Sequence, residues 1–243
     1  WPCGGQRLVH IPIVIVLIEV VGVVDRRRGR RGWLRTRSWL GYRGAWGRAW
    51  VAMDVESRQQ KFRAFIDRFH VVVNGMLSLP KPVIASVHGA VAGAGLSITM
   101  GCDLAIAADD AVFTLAYVKI GTSPDGGGTY CLPRIVGLKK AMEIAMLGDR
   151  FDAVTALSLG LLNKVVAAEE REQETRALAL RLAEGPTVAL GQTKALLHSS
   201  LTSDLDTQLN LESESFAQCA ATDDFTEGMQ AFMEKRVPRY GGK

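Results

Sequence analysis

Histidine and cysteine are scarce in this chain, at four residues each among 243. Cys3, Cys102, Cys131 and Cys219 have neither metal-ligand nor redox spacing, and His10, His70, His88 and His198 do not cluster. Both absences argue against a metal site. Scattered thiols fit a reduced protein of the cytoplasm. Long apolar runs are lacking as well. The segment HIPIVIVLIEVVGVV, His10 to Val24, reads as one or two strands, and it is too short and too interrupted by Glu19 for a membrane span. Arginines follow that run instead of preceding it, so it is not expected to be a signal peptide.

Two further absences divide the chain. Residues 1–50 have no lysine, and residues 51–243 have no tryptophan. The first fifty carry ten arginines against two acids, Glu19 and Asp25, while the whole chain has a net charge of only +4. Arginine interleaved with aromatics is a pattern that RNA or single strands can bind, but a basic run alone is a weak signal. Enrichment in Arg, Gly and Trp without Lys is also what a shifted reading frame of a GC-rich gene produces. Residues 1–50 are therefore set apart as an atypical segment, a divergent or frame-shifted first repeat. Nucleic acid is not expected as a partner.

The remainder has ordinary composition, and 48% hydrophobic residues overall suffice for a sizeable core. Phe62, Phe65, Ile66, Phe69, Val73 and Met76 recur at helical spacing, and Pro80 and Pro82 end that helix. VIASVHG, CDLAIAAD, AVFTL and LLNKVV read as short strands, and AGAGLSITMG as a helix of small residues packed on a sheet. LKKAMEIAMLG and DAVTALSLG read as helices closed by glycine. From Ala168 the pattern is helical, broken at Gly185-Pro186, with Ser203 and Asp204 as N-cap candidates. Strands alternating with helices predict an α/β fold with a largely buried sheet. Residues 51–185 are expected to form its core and 186–243 a helical region.

Two segments in this order, KPVIASVHGAVAGAGLSITMGCDLAIAADDAVF and IGTSPDGGGTYCLPRIVG, resemble the crotonase family, the enoyl-CoA hydratase/isomerase superfamily. The tail ATDDFTEGMQAFMEKRVPRYGG is similar to that family's C-terminal segment. The likeness runs from about Val51 to Lys243. It implies a spiral of ββα turns with a C-terminal helical oligomerisation region, assembled as a trimer or as a hexamer of two trimers. A coenzyme A thioester is implied as substrate, with no separate cofactor. An oxyanion hole of two backbone N–H groups is implied as well, stabilising the enolate where charge grows. By position, Ala94 supplies one donor, flanked by Gly93 and Gly95. The other donor falls on Ala52 in GRAWVAMDVE, where one glycine of the family pattern is missing between Ala52 and Met53.

The two glutamates by which hydratases of the family handle water fall at Ser97 and Tyr117. Neither is a carboxylate. The IG-x-x-PD-x-GG pattern instead places Asp125 where the epoxyphenylacetyl-CoA isomerase-like subgroup has its acid/base. A single carboxylate suffices to move a double bond, so Asp125 is the expected catalytic residue, with Ser97, Tyr117 and Gly126 lining the substrate pocket. Pro-Asp-Gly is also a strong turn signal, so Asp125 could equally be a helix N-cap. Phe232 and Lys235 match tail positions that in the family contact the coenzyme of a neighbouring subunit. The alternatives are a hydratase or thioester hydrolase with another base, and a non-catalytic acyl-CoA-binding member. The composition break and the missing glycine coincide near residue 50, which a frame disturbance ending there would explain. Reading the gene across codons 1–55 should reveal it; a clean frame with genuine homologous sequence upstream would sink that account.

Overall fold

The computed structural model describes residues 16–21 and 45–243. The RNA-binding and frame-shift readings of the first fifty residues lie for the most part outside the described residues. A first strand, β1 (Val16–Val21), does fall within the apolar run read as strand.

Helix α1 (Ala45–Ala52) leads into α2 (Val55–Ser78), and Trp50 stacks on Phe62 with ring centroids 4.1 Å apart. Asp54 precedes α2 and accepts the Ser57 N–H at 2.8 Å, which satisfies one of the donors a helix start leaves open. Val73 and Met76 are buried as expected, but Phe65 is exposed. The apolar stripe is wider than the face the helix buries.

The strands then deal themselves into two sheets. β2 (Val83–His88) enters the first sheet and β3 (Ala90–Ala92) the second, followed by α3 (Ala94–Gly101). β4 (Leu104–Ala108) and β5 (Val112–Thr114) repeat the move, followed by a 3-10 turn (Tyr117–Ile120), α4 (Gly128–Val136) and α5 (Leu138–Leu147). β6 (Phe151–Asp152), α6 (Ala153–Ser158) and β7 (Lys164–Val166) close the series. The first sheet has the order β1-β2-β4-β7 and the second β3-β5-β6. β2, β4 and β7 run parallel, with Ser86 opposite Ile106 and Ile106 opposite Lys164. Each turn thus advances both sheets by one strand, the ββα spiral expected. Val83, Ile84, Ala85 and Val87 are fully buried, which is why β2 is a continuous apolar run and not an alternating one. Phe113, Leu115, Leu96 and Leu132 fill the core between the layers.

Two compact units can be distinguished. One contains residues 17–21 and 45–77 and Val83–Thr175; the other contains Ser78–Pro82 and Arg176–Lys243. Helix α7 (Arg171–Ala183) crosses the division. The second unit is helical: α8 (Thr187–Ser199), α9 (Leu205–Ala220) and α10 (Asp223–Glu234). Asp204 caps α9 through the Thr207 N–H at 2.8 Å, and Thr222 caps α10 through Phe225 at 3.1 Å. Asp224 is buried and accepts the Gly241 N–H at 2.6 Å and the Gly242 N–H at 3.0 Å, tying the tail to the start of α10. Among the described residues no helix is long and apolar enough to cross a membrane.

Arg236 grips Glu227 with two nitrogens, at 2.6 and 2.9 Å, and the Arg239 N–H adds a third bond at 2.7 Å. These donors favour the carboxylate and lower the Glu227 carboxyl from the usual range to about 2. A lowered folded value means the pairing is intact above the ordinary glutamate range and lost only as pH falls toward about 2. NMR titration of the Glu227 carboxyl should show this low midpoint, and Arg236→Ala should raise it toward the ordinary range, the Arg239 N–H retaining part of the shift.

Candidate active site

The site grows out of two loops in the first unit. The earlier one joins β3 to α3. Its hinge, Gly93, has φ 54° and ψ −120°, a conformation in which a side chain is strained. Gly93 donates its own N–H to the Thr114 carbonyl at 3.1 Å and accepts from the Ser97 N–H at 3.1 Å. Ala94 is the first residue of α3, so its N–H has no partner within the helix, and no side chain caps this end. Ala94 is exposed, and the partial positive charge of the helix start lies there. A donor N–H, an uncapped helix end and flanking glycines are features suited to stabilising an anion.

The later loop follows the 3-10 turn. Asp125 does not cap α4: the N-cap is Gly127, with no side-chain cap hydrogen bond. The backbone of Asp125 makes a turn by accepting from the Gly128 N–H at 3.0 Å. Its side chain leaves that turn, and its Oδ1 accepts the hydroxyl proton of Tyr117. The backbone therefore makes the expected turn, while the side chain caps no helix and is turned to Tyr117 instead.

Tyr117 links the two loops. It is only 9% exposed, and a Cβ on Gly93 would sit 3.7 Å from its ring. Burial comes first, and the bond to Asp125 second, in raising the Tyr117 phenol above its ordinary range. The neighbouring Ser97 hydroxyl works the other way. Ser97 lies close without completing a bond: its Oγ is fully buried and meets no partner at hydrogen-bond geometry. It faces Gly128, where a Cβ would come within 2.7 Å of it. Ser97 is thus the packing reason that position 128 is glycine.

Helix α2 forms a third wall that the sequence pattern did not assign to the site. A Cβ on Gly126 would overlap the Phe69 ring, and one on Gly127 would lie 3.5 Å from Val73. The Gly126 N–H points to His70 Nε2 at 3.4 Å. Phe69 and Val73 were legible as apolar helix positions, but nothing local shows that they meet the glycine loop. His70 carried no signal, since no other histidine or cysteine lies near it in sequence.

Asp125, Tyr117, Gly93, Ser97 and Gly126 are therefore drawn together, and Gly95 lies on the first turn of α3 beside Ala94. Ala52 differs from expectation. It closes α1 and is exposed, and an N–H in the last turn of a helix is committed to the carbonyl one turn back. Ala52 does not present a free donor here. Phe232 and Lys235 stand exposed at the end of α10 in the other unit, Lys235 with a left-handed φ of 57°. Among the described residues no group of three or more His, Cys, Asp and Glu could hold a metal ion.

Comparison with known proteins places these loops in a family. A match described as "Enoyl-CoA hydratase/isomerase" spans residues 53–243. The chain is 41% identical over 179 residues to 1,2-epoxyphenylacetyl-CoA isomerase of Escherichia coli (strain K12), covering 73% of this chain and 68% of that protein. It is 38% identical over 166 residues to a crotonyl-CoA hydratase of Syntrophomonas wolfei, covering 68% of this chain and 64% of the relative. A crystal structure of an enoyl-CoA hydratase from Polaromonas sp. JS666 aligns with a TM-score of 0.71 at 35% identity, over 84% of this chain and 74% of that one.

Gly126→Ala should report on the clamp between α2 and the Asp125 loop. A side chain at φ 60° that also meets Phe69 should cost about 1–3 kcal/mol. Urea denaturation measures it; wild-type stability in the variant would mean that Phe69 does not hold the loop.

Proposed function

The chain belongs to the enoyl-CoA hydratase/isomerase family, and we propose that within it the protein moves a double bond of an enoyl-CoA, with Asp125 as acid/base. The observation that carries this reading is the side chain of Asp125. It is free of any capping role and reaches the buried Tyr117, with only one carboxylate oxygen engaged. The carboxylate would take a proton from the carbon beside the thioester. The electrons would pass to the thioester oxygen, forming an enolate near the Ala94 N–H. The same carboxylic acid would then protonate the distal carbon, and the double bond would have moved. No water is consumed, so a second carboxylate is not required. The positions where hydratases of the family have glutamates hold Ser97 and Tyr117, and a buried hydroxyl with a raised or unpartnered oxygen is a poor activator of water.

Hydration is the second reading, favoured by relatives named as hydratases at similar identity. Product analysis separates the two, since an isomerase needs a β,γ-unsaturated substrate and a hydratase an α,β-unsaturated one. Thioester hydrolysis would release free coenzyme A in the same assay. A binding-only role draws support from Ala52, whose N–H is taken up within α1. Self-association through the helical region is part of the proposal: Phe216, Phe232 and Met233 present large apolar surfaces there. A cytoplasmic location is retained as the setting that suits cysteines that form no disulfide among the described residues.

Asp125→Asn keeps the side-chain shape and removes the base. Turnover of a β,γ-enoyl-CoA should fall by roughly 10²–10⁴-fold, the usual contribution of a positioned acid/base, while acyl-CoA binding persists. Full activity in the variant would remove Asp125 from the mechanism. Binding without turnover in both proteins would favour the binding-only role.

A further inference from the structure

We propose that Tyr117 is a positioning residue that occupies Oδ1 of Asp125 and thereby confines the travelling proton to Oδ2, so that the hydrogen removed from the substrate is the one returned to it. This rests on the isomerase reading. Three observations lead to it. The Tyr117 hydroxyl donates to Oδ1, while among the described residues no hydrogen bond reaches Oδ2. The ring is buried beside Gly93 and Tyr117 opens the 3-10 turn, which together set the direction of its hydroxyl. Ser97 Oγ, which lies beside Tyr117, is fully buried and meets no further partner, so it leads no proton from this pair to solvent.

The chemistry balances on one oxygen. The α-carbon–hydrogen bond breaks and the Oδ2–H bond forms, and the electron pair moves to the thioester oxygen. The enolate then collapses, the Oδ2–H bond breaks, and the γ-carbon–hydrogen bond forms. The carboxylate is regenerated with no net gain or loss of protons. Tyr117 stays a donor throughout, because burial and the neighbouring carboxylate hold the phenol protonated. A free Oδ1 would offer a second protonation position and a route for exchange with water.

The test follows the label. A β,γ-enoyl-CoA dideuterated at the α-carbon is converted in ordinary water, and the deuterium at the γ-carbon of the product is measured in a single turnover. The wild type should carry label to the γ-carbon. Tyr117→Phe keeps the ring and the packing on Gly93, and its product should lose that label several-fold whatever its rate. Equal retention in both proteins, or complete washout in the wild type, overturns the proposal. If the wild type does not turn over this substrate, the isomerase reading fails, and with it the proton confinement; the Tyr117–Asp125 contact can still be judged alone. NMR of ring-labelled tyrosine should then show Tyr117 still protonated above the ordinary phenol range, and Asp125→Asn should lower its midpoint. An unchanged Tyr117 in that variant would show that the two groups do not interact.

Discussion

A buried phenol must find an acceptor, and Tyr117 finds it in Asp125. Much of the site follows from that one bond. Tyr117 stands at the start of the 3-10 turn after β5, and its ring lies beside the glycine that precedes α3. Asp125 stands beyond Pro124 on a loop whose glycines are packed by α2 and Ser97. The hydrogen bond joins these loops, so a carboxylate and an uncapped helix start come to share one neighbourhood. Neither loop would hold that arrangement alone, because Gly-rich backbone has the most conformational freedom to lose.

The spiral explains why such loops can be brought together. β2 and β4 are paired in parallel, and so are β3 and β5. Each ββα turn therefore returns the chain to the same edge of the sheets. The β3–α3 loop and the loop after β5 are successive turns of one spiral. The core that supports them is dry: Phe113, Leu115, Leu96 and Val91 are fully buried. Close packing of that kind transmits small displacements, which is how a side chain at Gly126 would be felt at Asp125.

Local features of the chain are legible in its residues, and long-range ones are not. The strands and the glycine-closed helices were legible because each is short, apolar and bounded by Gly or Pro. The N-cap at Asp204 was legible because capping is a local matter of one side chain and one N–H. Phe65 lies on the helical stripe yet is exposed, because periodicity gives a stripe but not its width. Ala52 was matched by position to a donor, but whether an N–H is free depends on the conformation around it, and here that conformation is helical. Whether the Asp125 side chain caps its own turn or leaves it could not be read in sequence, since the backbone and the side chain of one residue take different partners.

The sequence by itself determined the alternation of strands and helices, the family resemblance, and the presence of one acid in a run of small residues after β5. These depend on periodicity, on local turn chemistry and on motif order, all of which are written along the chain. The tertiary structure decided what that acid touches. Tyr117 was read as a pocket wall and proved to be the donor to Asp125, and Phe69 and His70 were brought from a helix some fifty residues earlier to brace its loop. Such contacts are made by side chains far apart in sequence whose directions are set by packing, and no local pattern encodes a direction in space.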